Sequence, residues 1–122
     1  MSSSPIQGLF CSKIGDFSKD MMVILKDDPD SVQLLTTLDA MVTMSPDMII
    51  MFFRDLIAKP YEKQILARDE SFLRGELDKH VNNGPLDQIQ KKIYEKWEVL
   101  NESQKNMIWD YFKILVVLSK RL

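Results

Sequence analysis

The residues equipped for chemistry are few, and they are scattered. Arg68-Asp69-Glu70, inside "LARDESFLRG", places three consecutive charges between apolar Ile65 and Leu66 on one side and Phe72 and Leu73 on the other. Adjacent carboxylates suggest an acid–base pair, but neighbours on a helix diverge by about a hundred degrees and do not face each other. No second carboxylate cluster in apolar surroundings accompanies them, so a glycosidase-type pair is unsupported. Asp69 as the cap of a following helix, with Arg68 at the C-terminal end of the preceding one, accounts for both residues without catalysis. The stretch reads as a junction.

Other constellations fall short in the same way. His80 and Cys11 are each the only residue of their type, so neither a disulfide within the chain nor a Cys₂His₂ zinc cage can form. HExxH, CxxC and GxSxG are absent. Cys11 reads as a small apolar side chain rather than a nucleophile, and His80 as a polar residue near a helix C-terminus. "DFSKDMMVILKD" (16–27) has acids at the first, fifth and twelfth places of a calcium loop, but Met21 stands sixth, where that turn needs glycine. The glycines are isolated, so no phosphate cradle exists. The sequence predicts a non-enzyme with no catalytic residue, cofactor or metal.

Candidate binding residues remain. Lys91, Lys92 and Lys96, with Lys120 and Arg121, are the basic clusters; together they carry an alternative reading as a nucleic-acid-associated accessory factor. The net charge of −2 gives that reading no general pull, and Trp97 falls on the opposite face of its helix from Lys92 and Lys96. Tyr94, at the edge of an apolar stripe, is the kind of ring that marks a protein contact. Ile6, Leu9 and Phe10 are apolar anchors in a stretch that reads as an N-terminal arm. The methionines crowd into residues 21–51, where they read as core filler rather than as an adaptable groove.

Periodicity supplies the scaffold for these residues. With 122 residues, 45% apolar and 28% charged, the chain is sized and composed as one globular domain. The expected organisation is an arm or loop over 1–15 and a single helical domain over 16–122. Asp16 to Lys26 reads as a short helix; Asp28 and Pro29 open a second, with Leu34, Leu35, Leu38, Met41 and Val42 on one face. Ser45 and Pro46 open a third, in which Met48 to Phe53 are apolar all round the wheel. That pattern predicts a helix over about 46–58 buried on most sides, broken at Lys59-Pro60. Tyr61, Ile65 and Leu66 read as the inward face of a further short helix, and another runs to about His80. "VNNGPLD" reads as a loop. Leu86, Ile89, Ile93, Trp97 and Leu100 form a clean stripe, and "NESQ" reads as a capping box opening a second broadly buried helix over 102–120. The fold class is all-α, a bundle of six or seven helices around those two. No apolar run approaches the ~20 residues of a membrane span, and no secretory leader is evident, so the expectation is a soluble intracellular domain.

Two stretches carry a resemblance. "PYEKQILARDESFL" resembles a Tyr … Ile-x-x-Arg/Lys-Asp-Glu-x-Phe-Phe/Leu segment of short all-helical proteins encoded by large nucleocytoplasmic DNA viruses of algae and amoebae. "KKIYEKWEVLNESQKNMIWDYFKILVVLSKR" is similar to their closing segment, a Trp before a polar break followed by Lys-Asn-x-Ile-Trp-x-Tyr and an aliphatic run. With "MSPDMIIMFFRDLI", the similarity covers roughly residues 30–121. It implies a viral protein of the host cytoplasm or virion, associated with the particle or its assembly, whose partners are viral structural proteins or itself. That largely uncharacterised family transfers no catalytic residue, and 75–81 match no part of its pattern.

Overall fold

Proline marks where most helices begin. Of the five prolines, four stand first in a helix: α1 (Pro5–Ile24), α2 (Pro29–Met44), α3 (Pro46–Phe53) and α6 (Pro85–Lys96). A first-turn N–H has no partner within the helix, so proline loses nothing there and brings a preset φ. The remaining segments are a π-helical turn (Arg54–Ala58), α4 (Lys59–Leu66), α5 (Ser71–Arg74), a 3₁₀ turn (Trp97–Val99) and α7 (Glu102–Ser119). These come from a computed structural model that describes residues 5–74 and 85–122. His80, the 81–84 part of the expected loop and the unmatched 75–81 lie outside the described residues, as does the Leu86 side chain. Within them the all-α bundle is as expected.

Caps follow the local grammar. Asp28 Oδ1 accepts from the Asp30 N–H at 3.2 Å to start α2. Asn101 and Gln104 complete a reciprocal capping box at 2.8 and 2.9 Å to start α7. Ser45 holds the N-cap position of α3, but its side chain makes no cap hydrogen bond.

The expected arm over 1–15 is corrected by α1, which is helical from Pro5 and runs for 20 residues. Phe10, Ile14, Phe17 and Met21 form one buried line along it, so the short helix read from Asp16 is only its second half. Phe10, offered above as a partner anchor, is 0% exposed and stacks edge-on against Phe53 at 5.4 Å between ring centres. α1 packs along α2 and α7, and α2 lies in turn on α6.

Pro60 does not end a helix either. The π turn carries the chain from α3 into α4 as one rod, with the Lys59 N–H bonded to the Arg54 carbonyl five residues back. Proline inside a regular helix loses a bond and collides with the carbonyl four residues earlier; a wider turn just before it relieves both demands. The turn also keeps the burial line straight. Phe53, Ile57, Tyr61 and Ile65 are buried at steps of four, which would drift by about 40° per step on a regular 3.6-residue helix.

The centre of the bundle is aromatic. Phe72 makes ring contacts with Tyr61 at 5.1 Å, Phe112 at 5.0 Å and Trp109 at 6.2 Å. Phe112 continues to Phe17 at 5.6 Å, and Trp109 to Trp97 at 5.6 Å. Several polar groups inside this core are bonded, since the buried Gln90 amide donates to the Phe72 carbonyl and the Ser18 and Ser119 hydroxyls donate to Ile14 and Val116 carbonyls, whereas Trp97 Nε1 is buried without a hydrogen-bond partner. No single described helix is long and apolar enough to cross a membrane; α2 with the α3–α4 rod reaches that length only across a bend of 117°.

Two substitutions in α1 separate a core helix from a dispensable arm. Phe10→Ala should cost about 3–5 kcal/mol of unfolding free energy in urea titration, as core aromatic truncations do. Gly8→Ala, whose added methyl meets nothing within 4 Å, should stabilise the chain by about 0.5–1 kcal/mol.

Candidate interaction surface

Arg68 sits where a glycine is usual. It is the residue following the cap of α4, in the left-handed region with φ of 54°. The Asp69 N–H bonds to the Gln64 carbonyl at 2.8 Å and the Arg68 N–H to the Ile65 carbonyl at 3.1 Å, which together make a Schellman motif. A side chain in that conformation costs about 1–2 kcal/mol relative to the right-handed region. The same turn directs the guanidinium onto α7, where Nη1 donates to Asn106 Oδ1 at 2.9 Å and Nη2 to Asp110 Oδ1 at 2.7 Å. Asp69 Oδ1 accepts from the Ser71 N–H at 3.0 Å and opens α5, as the sequence suggests. The charged triplet therefore turns the chain and fastens the turn to α7.

The basic residues do not assemble into one patch. Lys92 and Lys96 both converge on Asp28 Oδ2, at 3.6 and 3.8 Å, and Lys92 also reaches Asp30 and Glu95. Lys120 pairs with Glu62 of α4 at 2.7 Å. Lys91 and Arg121 are exposed. The cations are thus divided between the N-terminus of α2 and the α4–α7 contact. Sequence spacing showed Lys92 and Lys96 sharing a face; it could not show that an acid from α2 faces them. The Asp28 carboxyl is held below the usual carboxylate range, first by the Ser31 hydroxyl donating at 2.8 Å and then by the two lysines, against some opposing desolvation.

Between α1 and α7 runs an open groove of about 720 Å³ lined by Lys13, Asn106, Met107, Asp110, Tyr111 and Ile114 among others. The Tyr111 hydroxyl donates to Asp20 Oδ2 at 2.5 Å, and burial followed by that bond raises its phenol above the ordinary range. Cys11 is half-buried on α1, its thiol pushed up by burial and by Asp47. Both shifts hold the group in its protonated, less nucleophilic form. Among the described residues no three His, Cys, Asp or Glu side chains come together to hold a metal.

Exposed apolar side chains occur in several places, Val23 at 71%, Val99 at 80% and Val117 at 47% among them, and one run of them lies on a helix that the sequence misassigned. The helix over 46–58 was expected to be buried on most sides, yet only one face is covered, by way of Ile49, Ile50, Phe53, Ile57 and Ala58. Its other face is open: Met48 is 44% exposed, Met51 43% and Leu56 38%, with Met44 at the preceding corner 80% exposed. Phe52 lies half-buried at the margin. The signal was present in the sequence, since a helix apolar all round needs cover on every side and a chain this short has few layers to give. Of the other contact candidates, Leu9 and Tyr94 are each 46% exposed and lie on α1 and α6, whereas Ile6 is half-buried against the core. The candidates Ile6, Leu9, Phe10 and Tyr94 form no continuous site, because Phe10 belongs to the interior.

No protein-family model, curated protein or solved structure matches this chain.

The Arg68 geometry gives an ordering that a simple contact count would reverse. Arg68→Ala keeps the left-handed strain and loses an exposed ion pair, so it should destabilise by about 0.5–1 kcal/mol in urea titration. Arg68→Gly loses the same pair but relieves the strain, so its stability should lie at or above that of wild type. Asp28→Asn preserves the cap acceptor but replaces Oδ2, which accepts from Ser31 and faces Lys92 and Lys96, by an amide nitrogen that only donates. Because the folded carboxyl titrates below its unfolded value of about 3.9, the charge stabilises the fold above that pH and the benefit fades as pH falls through the folded value. Melting curves should show Asp28→Asn less stable than wild type at pH 7, with the difference shrinking as pH falls below the unfolded value of about 3.9.

Proposed function

We propose that this chain is a non-enzymatic helical interaction protein, structural or scaffolding in role, whose contact surface is the open face of the α3 rod. The single observation that carries the reading is the exposed stripe of Met44, Met48, Met51 and Leu56 on a helix whose other side is bound into the core. Contiguous apolar surface on a small domain marks a place where another molecule sits. Methionine suits such a surface, because its unbranched, polarizable side chain adapts to a partner's shape. The resemblance of "MSPDMIIMFFRDLI", "PYEKQILARDESFL" and the closing segment to helical proteins of large DNA viruses supports a setting in viral particle assembly, in the host cytoplasm or the virion. The nucleic-acid reading draws no support from Lys92, Lys96 and Lys120, each of which faces an acid of its own chain.

A photo-crosslinking amino acid placed singly at positions 48, 51 and 98 tests this in extracts of cells making the chain. The control position, Glu98, is exposed but lies away from the apolar stripe. Discrete protein adducts should form from 48 and 51 and be absent from 98. Adducts equal at all three sites, or none at 48 and 51, would count decisively against the assignment.

A further inference from the structure

The open face of the rod is not uniform along its length, and its charges indicate what covers it. Asp47 is exposed at the N-terminal end, where its Oδ1 accepts from Gln7 Nε2 of α1 at 2.9 Å, and Lys59 and Lys63 are exposed beyond the C-terminal end of the apolar stripe. Between them the outward positions are Met48, Met51 and Leu56, with Phe52 near the middle, and Asp55 closes an i,i+4 pair with Lys59 at 3.2 Å. The π turn keeps this outward line in phase with the buried one, so apolar centre and charged ends lie on one side of a single rod. From Asp47 to Lys63 the rod spans about 24 Å at 1.5 Å per residue.

We propose that the occupant of this face is a second copy of the chain, docked rod against rod in antiparallel fashion about a twofold axis near Phe52. The inference rests on the interaction reading above and adds the partner's identity. In that arrangement Met48 of one copy lies opposite Leu56 of the other, and the Met51 and Phe52 side chains meet their own counterparts. Each Asp47 lies opposite position 57 of the other copy, about 3 Å along the rod from Lys59 on one side and from Asp55 on the other, with Lys63 a turn beyond Lys59. A parallel arrangement would set Asp47 against Asp47 and lysine against lysine, so the charges select one direction. Opposed helix dipoles favour the same direction. A twofold interface needs one self-complementary patch, and a stripe with acid at one end, base at the other and methionine between meets that requirement. Packing distances of about 8–10 Å between helix axes suit side chains of this size.

Sedimentation equilibrium on the full chain, over a dilution series at low and moderate salt, tests the assignment. The expected result is a reversible rise from the 14.2 kDa chain mass to twice that mass, weaker at higher salt because the end charges are exposed. Met51→Glu should raise the dissociation constant about tenfold or more while far-UV circular dichroism stays unchanged. Asp47→Lys should weaken association about threefold or more at low salt, and adding Lys59→Asp to it should recover most of the loss. A wild-type chain that holds the monomer mass throughout overturns the second-copy inference, while crosslinks from positions 48 and 51 to a different protein would leave the interaction reading standing. A dimer indifferent both to Met51→Glu and to the charge exchange would overturn this placement of the interface. Should Met51→Glu fail to fold, the charge exchange alone decides, its fold checked by the same far-UV spectrum because it also removes the exposed Gln7–Asp47 and Asp55–Lys59 contacts.

Discussion

The bundle depends on Phe72 reaching its centre. This ring lies on a four-residue helix yet touches Tyr61 of α4 and both Trp109 and Phe112 of α7. Its carbonyl takes the Gln90 amide from α6, so backbone and side chain of one residue tie α4, α6 and α7 together. Edge-to-face aromatic contacts add about 0.5–1.5 kcal/mol each to what burial alone contributes, and here they share a single ring. So short a helix has no stability of its own to hold such a ring in place. The placement comes from the turn before it, where Arg68 adopts a left-handed conformation and anchors to Asn106 and Asp110. Local backbone strain at the surface is thus coupled to order at the centre.

How much of this was legible depended on the range of the interaction. The capping box at Asn101 and Gln104, the Asp28–Pro29 start and the stripe Ile89, Ile93, Trp97 and Leu100 involve residues within a few turns of one another, and the sequence expresses them directly. Asp69 as a cap belongs to the same class. Serines, Pro5, Gly8 and Gly15 made the first fifteen residues look like a loop, although Phe10, Ile14, Phe17 and Met21 already carried a helical period. Neither described glycine there answers a tight steric demand; the nearest atom to a methyl on Gly15 would be Asp39 Oδ1 at 3.5 Å, an ordinary contact. Composition outweighed periodicity in the reading, and periodicity was the better guide.

The other misreadings have a common physical origin. Whether Pro60 breaks a helix depends on the turn before it, and a π turn is favoured by what the downstream residues must bury rather than by local propensity. Whether an all-apolar helix is central depends on how many neighbours the chain can supply. The pairing of Lys92 and Lys96 with Asp28, and of Arg68 with Asp110, joins residues on separate helices. The candidate contact surface is a difference of the same kind. Met48, Met51 and Leu56 look like core residues in one dimension and become a surface only when the fold leaves them without cover.

The π turn at Arg54–Ala58 has a bearing on how this chain tolerates changes in length. It holds one residue more than a regular turn would, and its wider winding absorbs that surplus without rotating α4 against α3. Removing one outward residue from the turn would let it close to ordinary helix, with Ile57, Tyr61 and Ile65 still inward at steps of three and four. A further inserted residue has no such outlet, and would turn α4 by about 100° and carry Tyr61 and Ile65 out of the core. The segment therefore tolerates a lost residue and resists a gained one.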